Sequence, residues 1–246
     1  MYRTRNGYSW IRVSAEIILF FLIAGQQDVW EQILRFMFPL ENTWIHQRAT
    51  LFELLMEHLF LAGISSVMAV IAGVALGIAA TRSVGRMWMG IISAMIAWGQ
   101  TMPPVAVIAL AVPFCGFGAK PTIVALFIFS ILPVLRGTIT GIDMVQEELI
   151  EVAHGMGMKP YQTFWRVEWP LALPVIIGGI RTAVVINIAT ATIGAAIGAG
   201  GLGVPIISGL VMQNPAFVLE GAIPAACLAL LIDALLKNIE SSINWQ

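Results

Sequence analysis

Long apolar runs separated by short polar stretches divide the chain, and each run can be measured against the roughly 20 residues that carry a helix across a hydrocarbon core. Residues 59–81 are uncharged, and so are residues 87–119, a stretch long enough for one helix plus a turn marked by Pro113. Residues 121–135 lie between Lys120 and Arg136, and the helix reaches Gly141 if that arginine snorkels or faces protein. Residues 182–219 form another uncharged run, broken near Gly198-Ala-Gly-Gly-Leu-Gly203 and Pro205. A last run, 217–236, has Glu220 near one end and Asp233 near the other. The pattern predicts five core membrane helices.

The first segment is shorter. Residues 13–25 are apolar after Glu16 and are brief enough for the central part of a signal peptide, but Gln26-Gln27-Asp28 follows in place of an Ala-x-Ala site. A retained first helix therefore makes a sixth. Val29, Ile33, Phe36, Met37 and Leu40 recur at helical intervals with Glu31, Gln32 and Arg35 opposite, the pattern of a helix lying along the interface.

Composition fixes the class. With 59% apolar residues, 11% charged residues and a mean hydropathy of +0.87, the chain has too little charge to coat a soluble domain. It reads as an all-α integral membrane protein whose solvent is the lipid bilayer. A formal net charge of -1 leaves no basic face for phosphates, which excludes a nucleic-acid partner. Cys115 and Cys227 indicate neither a disulfide framework nor a metal site. Glu53 and Glu57 share a helical face that excludes His58, so these residues, like Glu16 and Asp233, read as solvated span ends rather than as metal ligands. Three scattered histidines supply no catalytic cluster for a membrane enzyme. A gated channel remains the other class, separable by whether a nucleotide-binding subunit accompanies the chain.

Basic residues set the orientation. If the loop 143–170 is cytoplasmic, the alternation of spans puts Arg3, Arg5, Arg12, Arg82, Arg86 and Lys237 inside with Lys159 and Arg166, and leaves Arg35, Arg48 and Lys120 outside. Both termini are then cytoplasmic.

That loop carries the most structured polar pattern in the chain. Glu147, Glu148 and Glu151 sit at the start of a short helix, where carboxylates complement the positive end of the dipole. Gly155 and Gly157 end it, Pro160 forbids its resumption, and Ala153 with Gly157 leaves a side-chain-poor surface for close packing by a partner. Tyr161, Phe164, Trp165 and Trp169 make the next stretch interfacial before Pro170 and Pro174 lead back into the membrane.

Polar and glycine-rich helix faces are tolerated in a bilayer chiefly where they meet protein or water. Gln100, Thr101, Asn187, Thr190 and Thr192 are the resulting candidates for a translocation path, with bonding between neighbouring helices as the other reading. Pro103 and Pro104 interrupt a helix in mid-membrane, either facing a cavity or forming a packing kink. Gly73-x-x-x-Gly77 and Gly194-x-x-x-Gly198 permit close helix crossing. Gly198, Gly200, Gly201 and Gly203 fall where a span emerges outside, as a mobile gate or a passive turn. The tryptophans, Trp88, Trp98, Trp165 and Trp169 among them, are scattered and form no aromatic cage.

Glu151-Val-Ala-His-Gly-Met-Gly157 followed by Val167-Glu-Trp-Pro170 resembles the EAA motif of permease subunits of type I binding-protein-dependent ABC importers. Val152 and Trp169 depart from that pattern. Glu168-Trp-Pro-Leu-Ala-Leu-Pro174, Gly179-Ile-Arg-Thr182, the run Ala189–Gly203, Gln100-Thr-Met-Pro-Pro104 and Gly221-Ala-Ile-Pro-Ala-Ala226 resemble the osmoprotectant branch, which carries glycine betaine, choline and carnitine. The resemblance covers residues 51–240, implying a permease domain there with a coupling loop at 143–170, preceded by an N-terminal helix and interfacial segment at 1–50. It implies an ATPase-coupling role for Glu148, Glu151, Ala153, Gly155, Gly157, Val167 and Pro170. It further implies partner ATPases that hold the ATP and Mg, an external binding protein, a second permease subunit, and no cofactor or catalytic residue in this chain. The location implied is a bacterial inner membrane, and the mechanism alternating access. An importer for amino acids or sulfonates is the alternative, because the docking loop does not encode the solute.

Overall fold

The computed structural model describes residues 3–82, 85, 87, 90–92, 94, 97, 98 and 101–243, with side chains from residue 10 onward. Among these residues every regular element is helical. Four helices are long and apolar enough to cross a membrane, and a fifth span is made if the first two helices, bent by 81° at their junction, count as one.

Helix α1 (Arg3–Ala24) turns into α2 (Gln27–Met37) at Gly25 and Gln26. The sequence pattern puts one apolar stripe on α2, whereas the structure shows two. Trp30 and Leu34 are buried against the protein, and Ile33, Phe36 and Met37 point outward. An interfacial helix with protein on one side has this form.

Helix α3 (Leu51–Thr81) begins eight residues ahead of its uncharged run because Thr50 and Glu53 close a reciprocal capping box. The Thr50 side chain accepts from the Glu53 N–H at 3.2 Å, and Glu53 Oε2 accepts from the Thr50 N–H at 2.9 Å. Between α3 and the next described helix, Ile92 and Ala97 pack on Ala80, Leu132, Leu135 and Ile139. Arg86, Trp88 and Gln100 lie outside the described residues.

Helix α4 (Pro104–Cys115) has Pro104 in its first turn, where a missing N–H costs no intrahelical bond. The turn expected at Pro113 lies beyond the proline: Pro113 is inside α4, which stops at Gly116 with φ +76°.

Helix α5 (Ala119–Asp143) is the centre of the bundle. Its Val134 and Thr138 fill the notches at Gly73 and Gly77 of α3, where a Cβ would stand 2.8 and 2.5 Å from the side chain opposite. The short helix α6 (Glu147–Gly155) follows, and then α7 (Pro160–Thr163), a π-helical turn (Phe164–Glu168) and α8 (Trp169–Ala191) run on as one span ending in a 3₁₀ turn (Thr192–Ile197). Two expectations are corrected here. Pro160 opens a helix at its first position instead of blocking one, and the aromatic stretch 161–169 is the first part of the span itself. Gly137 of α5 and Gly179 of α8 let these helices cross closely, since a Cβ on Gly137 would be 3.0 Å from Gly179 Cα.

Helix α9 (Gly203–Met212) is a separate short helix, and the membrane run ends near Ile197, at the break the glycine run 198–203 marks in the sequence. Helix α10 (Pro215–Ile243) closes the bundle. Its Leu228 and Ala225 join Leu51, Leu54, Leu55, Ile188, Leu202, Ala24 and Trp30 in one apolar cluster.

Candidate functional site

The site expected on the 143–170 loop is built on α6. Gln146 precedes it without a side-chain cap, and Glu147 and Glu148 lie in its first turn, where they offset the open N–H groups. Glu151 falls one turn further on. After Gly155 the chain reverses at Gly157, whose φ of +80° only glycine adopts without strain. The Gly157 N–H donates to His154 O at 2.9 Å and the Met158 N–H to Ala153 O at 3.1 Å, which satisfies the helix end.

The sequence pattern puts Ala153 on the partner-facing surface, and the structure corrects this. Ala153 is 1% exposed, turned into the chain's own interior. The outward face carries Leu149, Val152 and Met156, at 41%, 58% and 66% exposure, flanked by Glu148 and Glu151. Val152, a departure from the family pattern, is thus at the middle of an exposed apolar strip. Gly155 and Gly157 are open, since a Cβ added at either would have nothing within 4 Å, while Val167 is half-buried and Pro170 exposed. Behind α6 a cavity of about 550 Å³ is lined by Arg82, Asp143, Glu147, His154 and Glu168, so the helix stands off from the spans.

Ion pairs link this end of the bundle, and sequence reasoning missed them. Arg82 Nη2 donates to Glu168 Oε2 at 2.9 Å, and the guanidinium lies 4.8 Å from the Phe164 ring centroid. Arg181 lies inside α8 and donates to Asp233 at 2.6 Å and Glu240 at 3.3 Å on α10. Asp233 is therefore a bonded partner rather than a solvated helix end, because an arginine within a span needs an acid. An arginine at the edge of one apolar run and an acid within another were the available signal.

The candidate path residues are not brought together within this chain. Asn187 is fully buried among α3, α5 and α8. Its amide is satisfied with Nδ2 donating to Leu126 O at 2.9 Å and Oδ1 accepting from Ser66 Oγ at 2.9 Å and Ser130 Oγ at 3.2 Å. Of the two readings of Asn187, bonding between helices is the one realised, because Ala191 and Gly194 on the same face are also buried against the bundle. Thr190 is half-buried, Thr101 is exposed and donates to Trp98 O at 2.8 Å, and Pro103 and Pro104 mark the start of α4.

At the opposite end of the bundle Gly198, Gly200 and Gly201 have φ of +79°, +85° and +79°. The Gly201 N–H donates to Glu57 Oε2 at 2.8 Å. His58 is buried, with Nε2 2.9 Å from Ile188 O. His58 is therefore not at a solvated end, because α3 turns it onto α8. Among the described residues no group of three His, Cys, Asp or Glu side chains is arranged to hold a metal. Glu220, near one end of the last apolar run, is buried and accepts from the His46 N–H at 2.9 Å, while His46 Nε2 lies 3.2 Å from Ser208 Oγ. Burial first and the charge of Arg48 second hold the His46 imidazole below its ordinary value.

Comparison with known proteins bears on this arrangement. Residues 73–245 match the family described as binding-protein-dependent transport system inner membrane component. The glycine betaine/carnitine/choline transport system permease protein of Bacillus subtilis is 40% identical over 188 residues, covering 76% of this chain and 86% of that protein. The carnitine transport permease protein of Listeria monocytogenes is 41% identical over 186 residues, covering 75% and 84%. An osmoprotectant import permease protein of Salmonella typhimurium is 38% identical over 180 residues, covering 73% and 76%. In fold, the chain superposes on an inward-facing MetNI methionine ABC transporter with a TM-score of 0.69 at 21% identity, covering 77% of this chain and 94% of that one. That likeness assigns the type I importer permease fold and carries no information on solute.

Proposed function

Because this chain belongs to the binding-protein-dependent transport system inner membrane component family, we propose that it forms the membrane path of an ATP-driven importer for osmoprotectants of the quaternary-amine class, such as glycine betaine, choline and carnitine. The observation that carries the solute class is identity near 40% over three quarters of the chain to permeases with those substrates in their names. It is a multi-pass membrane transport subunit, and ATP is hydrolysed, with Mg, on a partner ATPase.

The exposed face of α6 receives that ATPase. When the ATPase pair closes on ATP, α6 moves with it, and the α5 and α8 spans on either side rock toward an outward-open state; hydrolysis resets them. The Arg82–Glu168 pair makes the end of α3 follow the same motion. An external binding protein delivers the solute, and a second permease subunit, the same or different, completes the path. The distribution of basic residues supports an orientation with both termini in the cytosol.

The test is ATPase activity of the reconstituted complex with its cognate ATPase and binding protein, measured against glycine betaine, choline, carnitine, methionine and taurine. Stimulation by the quaternary amines supports the reading. Stimulation by methionine or taurine alone overturns it.

A further inference from the structure

Beneath the outer glycine turn a cleft of about 350 Å³ is lined by Arg48, Glu57, Ser208, Ala195, Gly198 and Gly200. We propose that this cleft is a low-affinity receiving site for a small zwitterion, with Arg48 taking the carboxylate and Glu57 facing the ammonium. The proposal rests on the osmoprotectant reading above and adds where in this chain the solute is first held.

Three observations carry it. First, the cleft holds one cation and one anion that form no salt bridge with each other among the described residues, so both charges are available to a molecule bearing the opposite pair. A guanidinium presents a planar fork suited to a carboxylate. Secondly, Glu57 is held in place. Its Oε2 accepts the Gly201 N–H at 2.8 Å, which fixes the carboxylate against the turn while its charge remains at the cleft wall. Thirdly, the space is right. It equals roughly a dozen waters at about 30 Å³ each, enough for a molecule of glycine betaine's size with some hydration. The rest of the wall is apolar, with Leu54, Val204 and Ile207 beside the alanines and glycines, and suits methyl groups.

The cleft contains no aromatic ring, so the ammonium meets a single carboxylate and no cation-π box. Binding is accordingly weak, as suits a site that must pass its solute onward. Choline, which lacks the carboxylate, forgoes the Arg48 contact and binds less.

The experiment is saturation-transfer NMR on the permease–ATPase complex in nanodiscs without binding protein, observing the methyl protons of glycine betaine. Arg48→Ala and Glu57→Gln are compared with wild type; Arg48 is exposed, and glutamine retains an oxygen to accept from Gly201. Each variant is expected to weaken binding by about tenfold, the usual cost of removing one charged hydrogen-bonding partner. Choline should give the weaker signal in the wild type. No glycine betaine signal in the wild type, or equal signals in the wild type and both variants, would overturn the site. Transport by the same preparation with binding protein separates the two readings. Glycine betaine uptake with unchanged variants removes the cleft and leaves the osmoprotectant assignment. Absence of uptake for every quaternary amine removes that assignment, and the two variants then decide the cleft with proline as the zwitterion.

Discussion

Arg82, just past the end of α3, and Glu168, in the π-helical turn, are 86 positions apart in sequence and meet at 2.9 Å. The carboxylate is 9% exposed and the guanidinium 44%, so the acid is the member that loses water on pairing. The contact fastens α3 to the segment that follows the coupling helix, beside the cavity behind α6.

Replacing Glu168 by Gln should lower thermal stability by about 1–2 kcal/mol, less than a fully buried pair because Arg82 is half in solvent. Coupled transport should fall further than stability does. Thermal unfolding in detergent read beside uptake checks this, and Arg82→Lys should fall between the two.

Val152→Asp should leave the complex assembled in the membrane while reducing the stimulation of ATPase activity by solute, since the side chain is exposed and no internal contact is lost. Ala153→Asp should instead impair folding, because that position is buried and a lone carboxylate there has no partner. Equal behaviour of the two variants would contradict the assigned faces of α6.

Gly157→Ala places a residue with a Cβ at φ +80°, at a cost of about 1–2 kcal/mol in local backbone strain, although nothing crowds the added methyl. Gly157→Asn should recover part of the lost coupling. ATPase stimulation across the three proteins gives the order.

Asn187→Leu should cost about 1–3 kcal/mol by leaving the buried Ser66 hydroxyl without the amide it bonds, while Ser130 Oγ keeps its own bond to Leu126 O, with solute preference unchanged. Competition uptake assays distinguish this from a path-lining role, which would alter selectivity.

His46 should make stability depend on pH. Its folded value lies below the ordinary 6.5, so the folded state resists protonation, and the contribution is complete above 6.5 and lost as pH falls below it. His46→Gln should flatten the profile on the acid side.

The spans at 51–81, 119–143 and 215–243 were legible because their signal is length and scarcity of charge, which needs no knowledge of neighbours; the start of the span Pro160–Ile197 was not, because Arg166, Glu168 and Arg181 lie inside it. The short helix α6 was legible through Glu147, Glu148, Gly155 and Gly157, whose roles in starting and ending it are local. Which way Ala153 faces was not, because that depends on α7 and the π-helical turn packing against α6, and nothing at Ala153 itself records that. His58 and Asn187 show the same limit. Each is polar in an apolar run, and only the crossing of α3, α5 and α8 through their glycine notches decides that they face protein. Arg181 and Asp233 were within reach of sequence reasoning, since an arginine in a span predicts an acid in another.

The central claim is that α6 faces the cytosol and bears on an ATPase through Val152. With Cys115 and Cys227 replaced by Ser, Val152→Cys should react with an impermeant thiol reagent only from the cytosolic side, and should crosslink to the nucleotide-binding subunit with a yield that changes on adding ATP. Labelling from the outer side, or no adduct with that subunit in any nucleotide state, would contradict the account.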